Sequence, residues 1–430
     1  MPPAVRRPNI LLVLTDDQGL GDAGCFGSRE VRTPAIDSLA RDGARGTAFY
    51  ANSPVCSPTR AALLTGRYPD VVGVPGVIRT HSENSWGYLD PRVPLLPVVL
   101  AEAGYRTSLV GKWHLGLEAP NLPTRRGFHR FRGFLGDMMD DYWTHRRDGR
   151  NYLREDEREV DPPGHATDLF TGWAVEEIER GAREPEPWFV YLAYNAPHVP
   201  LHPPAEWLER VRGRAPAFAD SRARLVALIE HMDDGLGRVL SALRETGQEE
   251  NTLVLFVSDN GGQLDVGADC GGLRSGKGDL YEGGIRVPMC ARWPGHIPAG
   301  TTCGAPALTM DLFATACDAA GVRPPAGIDG VSLLPALTGA APALPERDLF
   351  WMRREGGPPY HGREAHAVRR GPWKLLQNRP FLPLELYNLE EDPLETRDLA
   401  ADRPQVVADL ARALSAHLQR AGRTPWQPPA

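Results

Sequence analysis

A thiol, a proline and an arginine stand together in one short stretch, Cys56-Ser57-Pro58-Thr59-Arg60, followed by Ala61 to Thr65 and a stop at Gly66. The stretch reads as a helix start. It puts the thiol where free backbone N–H groups and the helix dipole favour negative charge, with Arg60 one turn on along the same face. A nucleophile facing an anionic substrate suits such a place, although a lone cysteine is more commonly a small buried apolar side chain. The basic residues add a second signal: of 48 lysines and arginines, only Lys112, Lys277 and Lys374 are lysine. So strong a bias leaves lysine where a compact, proton-donating ammonium is needed and a planar fork does not fit, unless the three are there by chance.

The elements that must position these groups are those of an α/β protein. Asn9 to Thr15, Thr107 to Gly111, Phe189 to Tyr194 and Thr252 to Ser258 are apolar runs of strand length, of the kind buried on both faces of a parallel sheet. Helical patterns lie between them: one opened by Thr33-Pro34 and stopped at Gly43, one from Ser57-Pro58 to Gly66, and a long one from Arg222 to Leu243, with a short strand at Thr47 to Tyr50. This alternation predicts a large, mostly parallel mixed sheet sandwiched by helices. Ligands of such sheets sit beyond the carboxyl ends of the strands. Those ends carry Asp16-Asp17, Lys112 with His114, His198, and Asp259-Asn260. From about Asp348 the texture changes to short strands (349–353, 366–369, 373–377, 384–388) and a helix over 405–420, a small antiparallel sheet with one packed helix. The reading is therefore a catalytic domain over 1–345, with an insertion at about 120–186 bordering the pocket, and an α+β subdomain over 346–430 joined through 339–347.

Composition narrows the classes. At 430 residues the chain exceeds what one hydrophobic core usually holds. Its 42% apolar and 24% charged residues exclude a disordered chain, and a net charge of −7 gives no nucleic-acid surface. No apolar run reaches the ~20 residues of a membrane helix. The first apolar run, Ile10 to Leu14, is shorter than the ~7–15 residue core of a secretory signal and is followed by acids, which predicts a cytoplasmic protein. The six cysteines have no paired close spacing and read as thiols.

Cys56 to Arg60 resembles the C-x-P-x-R signature of the type I, formylglycine-dependent sulfatases of the alkaline phosphatase superfamily. Gly111 to Gly116, Ala196 to Pro200, Val257 to Gly262, Gly276 to Pro288, Trp373 to Leu376 and Leu386 to Leu389 agree with it in order and spacing, so the resemblance spans nearly the whole chain. It implies oxidation of Cys56 to formylglycine by a maturation enzyme. It also implies a metal at Asp16, Asp17, Asp259 and Asn260 beside residue 56, with Arg60, Lys112, His114, His198 and Lys277 around the sulfate. Such hard oxygen donors point to Ca²⁺ or Mg²⁺, and the family to calcium. The implied activity is hydrolysis of a sulfate monoester, of a sugar or an aryl alcohol, to alcohol and inorganic sulfate. His198 with Lys277 would protonate the departing alcohol, and His114 aided by Lys112 would act as base. Two rivals are a phosphonate or phosphate ester hydrolase of the same superfamily and a non-catalytic sugar-binding protein with an unmodified thiol.

One departure is Asp137, in Gly133-Phe134-Leu135-Gly136-Asp137, where family members often place a serine against the sulfate; the carboxylate is expected to face sugar hydroxyls or solvent. Asp265, Asp269 and His81 are expected at the rim, with Trp86, Tyr88, Trp143 and His361 available to it. His202 is expected to be structural, and Lys374 to stack or lie on the surface beside Trp373.

Overall fold

The computed structural model describes residues 7–81, 84–341, 344–356 and 364–429. His361, offered above for the rim, lies outside them. The strand Asn9–Thr15 is buried along its whole length and forms the centre of a ten-stranded mixed sheet. From one edge the order is Thr301–Cys303, Ala44–Gly46, Met289–Arg292, Thr252–Ser258, Asn9–Thr15, Trp188–Ala193, Arg106–Lys112, Arg130–Phe134, Leu153–Glu155, Arg158–Glu159. The five strands from Thr252–Ser258 to Arg130–Phe134 run parallel.

Alternation along the central strand divides the core. Ile10, Leu12 and Leu14 pack with the helices Cys56–Thr65 and Asp311–Ala319, while Leu11 and Val13 pack with Pro34–Arg41, Ala166–Gly181 and Asp220–Glu245. A strand apolar at every position is the sequence of a sheet covered on both faces. The predicted helices appear with boundaries moved by one or two residues, and the predicted strand over 47–50 is instead two short pieces, Ala44–Gly46 and Phe49–Tyr50.

The C-terminal part is a four-stranded antiparallel sheet, Leu349–Arg354, Glu364–Arg370, Trp373–Gln377 and Glu385–Asn388, in sequence order. One face packs on the helix Pro404–Ala421 through Val368, Leu375, Leu386, Leu410 and Leu414. The other, with Trp351, Ala367, Leu376 and Tyr387, packs on Tyr50, Leu280 and Ile285. The 120–186 stretch contributes a parallel strand, Arg130–Phe134, and the covering helix Ala166–Gly181, and it also reaches the pocket with Asp137, Met138 and Arg147.

Candidate active site

Parallel strands in register deliver their C-terminal residues to one edge. Thr15 pairs with Ser258, Leu14 with Ala193, and Ala193 with Gly111. Asp16-Asp17, Asp259-Asn260, Asn195 to His198 and Lys112 to His114 are therefore neighbours. Gly111 permits the closest approach: at φ +108° it has no side chain, and a Cβ there would lie 1.9 Å from the Ala193 carbonyl. Asp17 and His114 leave their strands at φ 68° and 59°, and Ser275 precedes Lys277 at φ 61°. Non-glycine residues held in this left-handed region cost of order 1–3 kcal/mol each and cluster at functional sites.

The helix Cys56–Thr65 is buried over all ten residues and points its first residue at this edge. It ends at Gly66, whose φ of 66° suits a residue without Cβ. One ligand atom each from Asp16, Asp17, Cys56 and His198 lies within 4.8 Å of the others. A cavity of about 610 Å³ opens above them, lined by Cys56, His114, His198 and Lys277, with Arg79, Asp137, Arg147, Asp265, Ser275 and Arg353 on its walls.

The floor is a network of buried charges. Arg60 donates through Nε (3.1 Å) and Nη2 (2.8 Å) to Asp259 Oδ2, and through Nη1 to the Lys112 carbonyl (3.1 Å). Lys112 Nζ donates to Asp16 Oδ2, which also lies 3.4 Å from Arg60. Lys277 Nζ donates to Asp17 Oδ2 (2.6 Å) and to His198 Nε2 (3.1 Å). Asp17 N–H donates to Asp259 Oδ1 (3.1 Å). Lys112 and Arg60 are thus placed under the floor rather than on the cavity wall, touching Asp16 and Asp259.

Hydrogen bonds assign the imidazole protons. His198 Nδ1 lies 2.6 Å from the Val199 carbonyl and carries the hydrogen, which leaves Nε2 to accept from Lys277. His114 Nε2–H donates to the Ile78 carbonyl (2.7 Å), so Nδ1 holds a lone pair, buried and without a partner. Burial, with the Lys112 and Arg60 charges, holds His114 well below the usual histidine range; burial and Lys277 lower His198. Both rings are neutral bases. Burial alone would raise the Asp16 carboxyl, but Lys112, with Arg60 and Lys277, keeps it well below the carboxylate range, whereas burial and the Asp16 charge push Asp259 up.

The donor set fits a hard divalent cation. Asp16 Oδ1 and Asn260 Oδ1 are buried without a hydrogen-bond partner. The Asn260 amide nitrogen faces two acceptors, Asp17 Oδ1 (2.8 Å) and the Gly261 carbonyl (2.9 Å), which fixes its oxygen as the free atom. Three carboxylates converging here repel one another, and a cation relieves that repulsion.

Several expectations are corrected. The Cys56 thiol is not held as a thiolate: burial, reinforced by Asp16 and Asp259, pushes it well above the usual range against the pull of Lys112 and Lys277. Lys374 is neither stacked nor on the surface. It is fully buried between Glu282 Oε1 (3.0 Å) and Glu395 Oε1 (2.8 Å). Asp269 is not a rim group; its carbonyl accepts Gly21 N–H (2.9 Å) and its carboxylate Gly271 N–H (2.7 Å). Trp143 is turned against His165, with ring centroids 5.1 Å apart, and His81 pairs with Asp148 (3.0 Å) outside the cavity. His202, by contrast, makes the structural contacts expected of it: its carbonyl accepts from His165 Nε2 (3.0 Å) and its Nδ1 lies 3.3 Å from Asp141. Asp137 does line the cavity, 3.3 Å from Arg147 Nε. Arg79, Arg147 and Arg353 had no sequence signal, being three among many arginines.

The family model for sulfatases matches residues 8–322, and that for the C-terminal part of N-sulphoglucosamine sulphohydrolase matches residues 276–423. Over 374 residues the chain is 36% identical to the N-acetylgalactosamine-6-sulfatase of Sus scrofa, covering 81% of this chain and 69% of that one. Over 465 residues it is 35% identical to the arylsulfatase A of Homo sapiens, covering 95% and 86%. A crystal structure of Ps i-CgsB in complex with k-i-k-neocarrahexaose superposes with a TM-score of 0.89 at 31% identity, covering 98% of this chain and 95% of that one. With the family model matching residues 8–322 and these relatives at 31–36% identity over most of the chain, the chain belongs to the sulfatase family and is a sulfuric ester hydrolase.

Proposed function

We propose that this sulfatase cleaves the sulfate monoester of a saccharide, with residue 56 working as formylglycine and Ca²⁺ held by Asp16, Asp17, Asp259 and Asn260. The observation that carries this reading is the meeting of residue 56 with Lys277 and two neutral imidazoles in one cavity, over a floor of lysine–carboxylate pairs. Support for the sugar comes from the relatives, two of which are named for or bound to sulfated or carrageenan-type saccharides. Support for calcium comes from the all-oxygen donor set and its two unpartnered oxygens.

When bound, the cation supplies positive charge for the sulfate oxygens, and the hydrated aldehyde of residue 56 supplies a nucleophilic hydroxyl. The chain's own groups do the rest. Lys277 is an ammonium whose folded environment, chiefly Asp17 acting against burial, raises it above the usual lysine range. It holds a proton 3.1 Å from His198 Nε2, and this couple delivers the proton to the departing alcohol oxygen. His114 Nδ1 is the unprotonated base beside residue 56. Arg60 and Lys112 fix Asp259 and Asp16 from below, so that the carboxylates point upward without side-chain reorganisation.

The test combines two readouts. Peptide mass spectrometry across Ser53 to Arg60 should find residue 56 as formylglycine in active protein, and unmodified cysteine throughout an active preparation would refute the assignment. Activity on sulfate esters should exceed that on phenylphosphonate esters; the reverse order would favour the phosphonate reading.

A further inference from the structure

A second cavity, of about 950 Å³, adjoins the active site and shares Arg79 with it. The wall between the two is the segment 78–80. The Ile78 carbonyl accepts from His114 on the active-site side, and the Thr80 hydroxyl reaches Asp137 (3.5 Å), while both residues line the second cavity. Its aromatic surface is made by Trp86, Tyr88 and Trp426, all half-buried. Trp86 and Trp426 stack with centroids 4.7 Å apart and planes 11° from parallel. The C-terminal tail that brings Trp426 here is anchored: Thr424 Oγ1 donates to the Val71 carbonyl (3.1 Å), and buried His417 pairs with Asp70 (2.9 Å).

We propose that this groove is a subsite for the sugar units adjoining the sulfated one, so that the enzyme acts on a sulfated oligosaccharide in preference to the free monosaccharide sulfate. The proposal rests on the saccharide reading above. The chemistry is that of a sugar rather than of a polyanion or an apolar chain. Aromatic surface meets the C–H face of a pyranose, while Glu118 and Gln427 offer carboxylate and amide groups to its edge. The charges along the groove, Arg79 and Glu118, are one of each sign, and Arg79 is already 3.4 Å from Glu355. Continuity through segment 78–80 puts the groove where the rest of a chain would run once its sulfated unit occupies the cavity.

The experiment compares the full-length enzyme with Trp426→Ala and Trp86→Ala on three substrate types: 4-nitrophenyl sulfate, monosaccharide sulfates, and hexasaccharides of chondroitin, keratan and carrageenan type. Wild-type kcat/KM should be at least about 10-fold higher on one hexasaccharide than on its monosaccharide sulfate. Each variant should lose about 10-fold on that hexasaccharide, through KM, the scale of one aromatic contact, with the two small substrates unchanged within about two-fold. Equal losses on all three substrates would reduce the tryptophans to packing and overturn the subsite. No gain with length on any hexasaccharide overturns it too. Turnover of 4-nitrophenyl sulfate with no turnover of any saccharide sulfate refutes the parent reading instead, and the subsite falls with it.

Discussion

Lys277 and Lys112 differ in what they touch, and their substitutions should differ accordingly. Lys277 bridges Asp17 and His198 at the cavity wall. Lys277→Arg keeps the charge but replaces a compact ammonium that donates to His198 with a bulkier planar guanidinium that gives up its proton less readily. On a sugar sulfate, whose alcohol leaves badly without a proton, the loss should be ~10²–10⁴-fold. On 4-nitrophenyl sulfate, whose phenolate needs no proton, it should be far smaller. Equal losses on both esters, read from kcat, would show that Lys277 binds sulfate without donating. Cys56→Ala should abolish turnover while leaving the thermal midpoint close to that of wild type, because the side chain removed is small.

At the scale of elements, Lys374 ties the C-terminal sheet to the segment bearing Glu282. Its ammonium sits with no solvent exposure between Glu282 and Glu395, and Tyr50 donates to the other oxygen of Glu282 (2.8 Å). Lys374→Met leaves buried Glu395 without its cation and Glu282 with only Arg286 at 3.7 Å, and breaking such a buried pair costs about 3–5 kcal/mol. The expected result is a lowered urea midpoint; an unchanged one would mean that the carboxylates find another partner.

A second element, the helix Ala166–Gly181, is capped by His165, whose Nδ1 accepts from Thr167 N–H (3.2 Å). Burial, with the neighbouring His231, pushes His165 down to about 4. The sign follows directly: the unfolded chain takes up a proton near pH 6.5 that the folded chain refuses until about pH 4. The stability contributed is full above pH 6.5 and is lost as pH falls through that window, by up to about 3 kcal/mol. The difference in urea midpoint between wild type and His165→Asn, which keeps an N-cap acceptor, should therefore change between pH 7 and pH 4.5. A difference constant across that range would show that His165 titrates normally.

For the whole molecule, the proposed Ca²⁺ would join Arg60, Lys112 and Lys277 in balancing the three carboxylates of the floor. Asp16→Asn or Asp259→Asn should abolish activity and lower bound calcium. Exhaustive chelation of the wild type should remove activity and lower the thermal midpoint, and added Ca²⁺ should restore both. Saturation at 100 times Kd would account for about 2.7 kcal/mol. Full activity with metal analysis at zero would exclude the site. The C-terminal sheet belongs to the same unit in practical terms. Trp351 donates to the Ala51 carbonyl (2.8 Å), Ser53 to the Met352 carbonyl (3.2 Å), and Arg353 to the Gly278 carbonyl (2.6 Å), so it braces both the approach to Cys56 and the loop of Lys277.

What the sequence determined by itself was local and periodic. Asn9 to Thr15 is apolar at every position, and only a strand covered on both faces has a use for that. Polar residues directly after such strands had to collect at one sheet edge, because parallel strands share their direction, and the C-x-P-x-R stretch with its companions named the chemistry. What only the tertiary structure decided depends on distance and burial. Lysine scarcity marked all three lysines, but a sequence does not say that Lys374 lies between two buried glutamates 92 and 21 positions away. Nor does it say that burial raises the Cys56 thiol, that Arg60 and Lys112 work from beneath the floor, or that Trp426 comes back to stack on Trp86. Each of these is set by which atoms exclude water from which, and contacts across hundreds of residues leave no period in the chain.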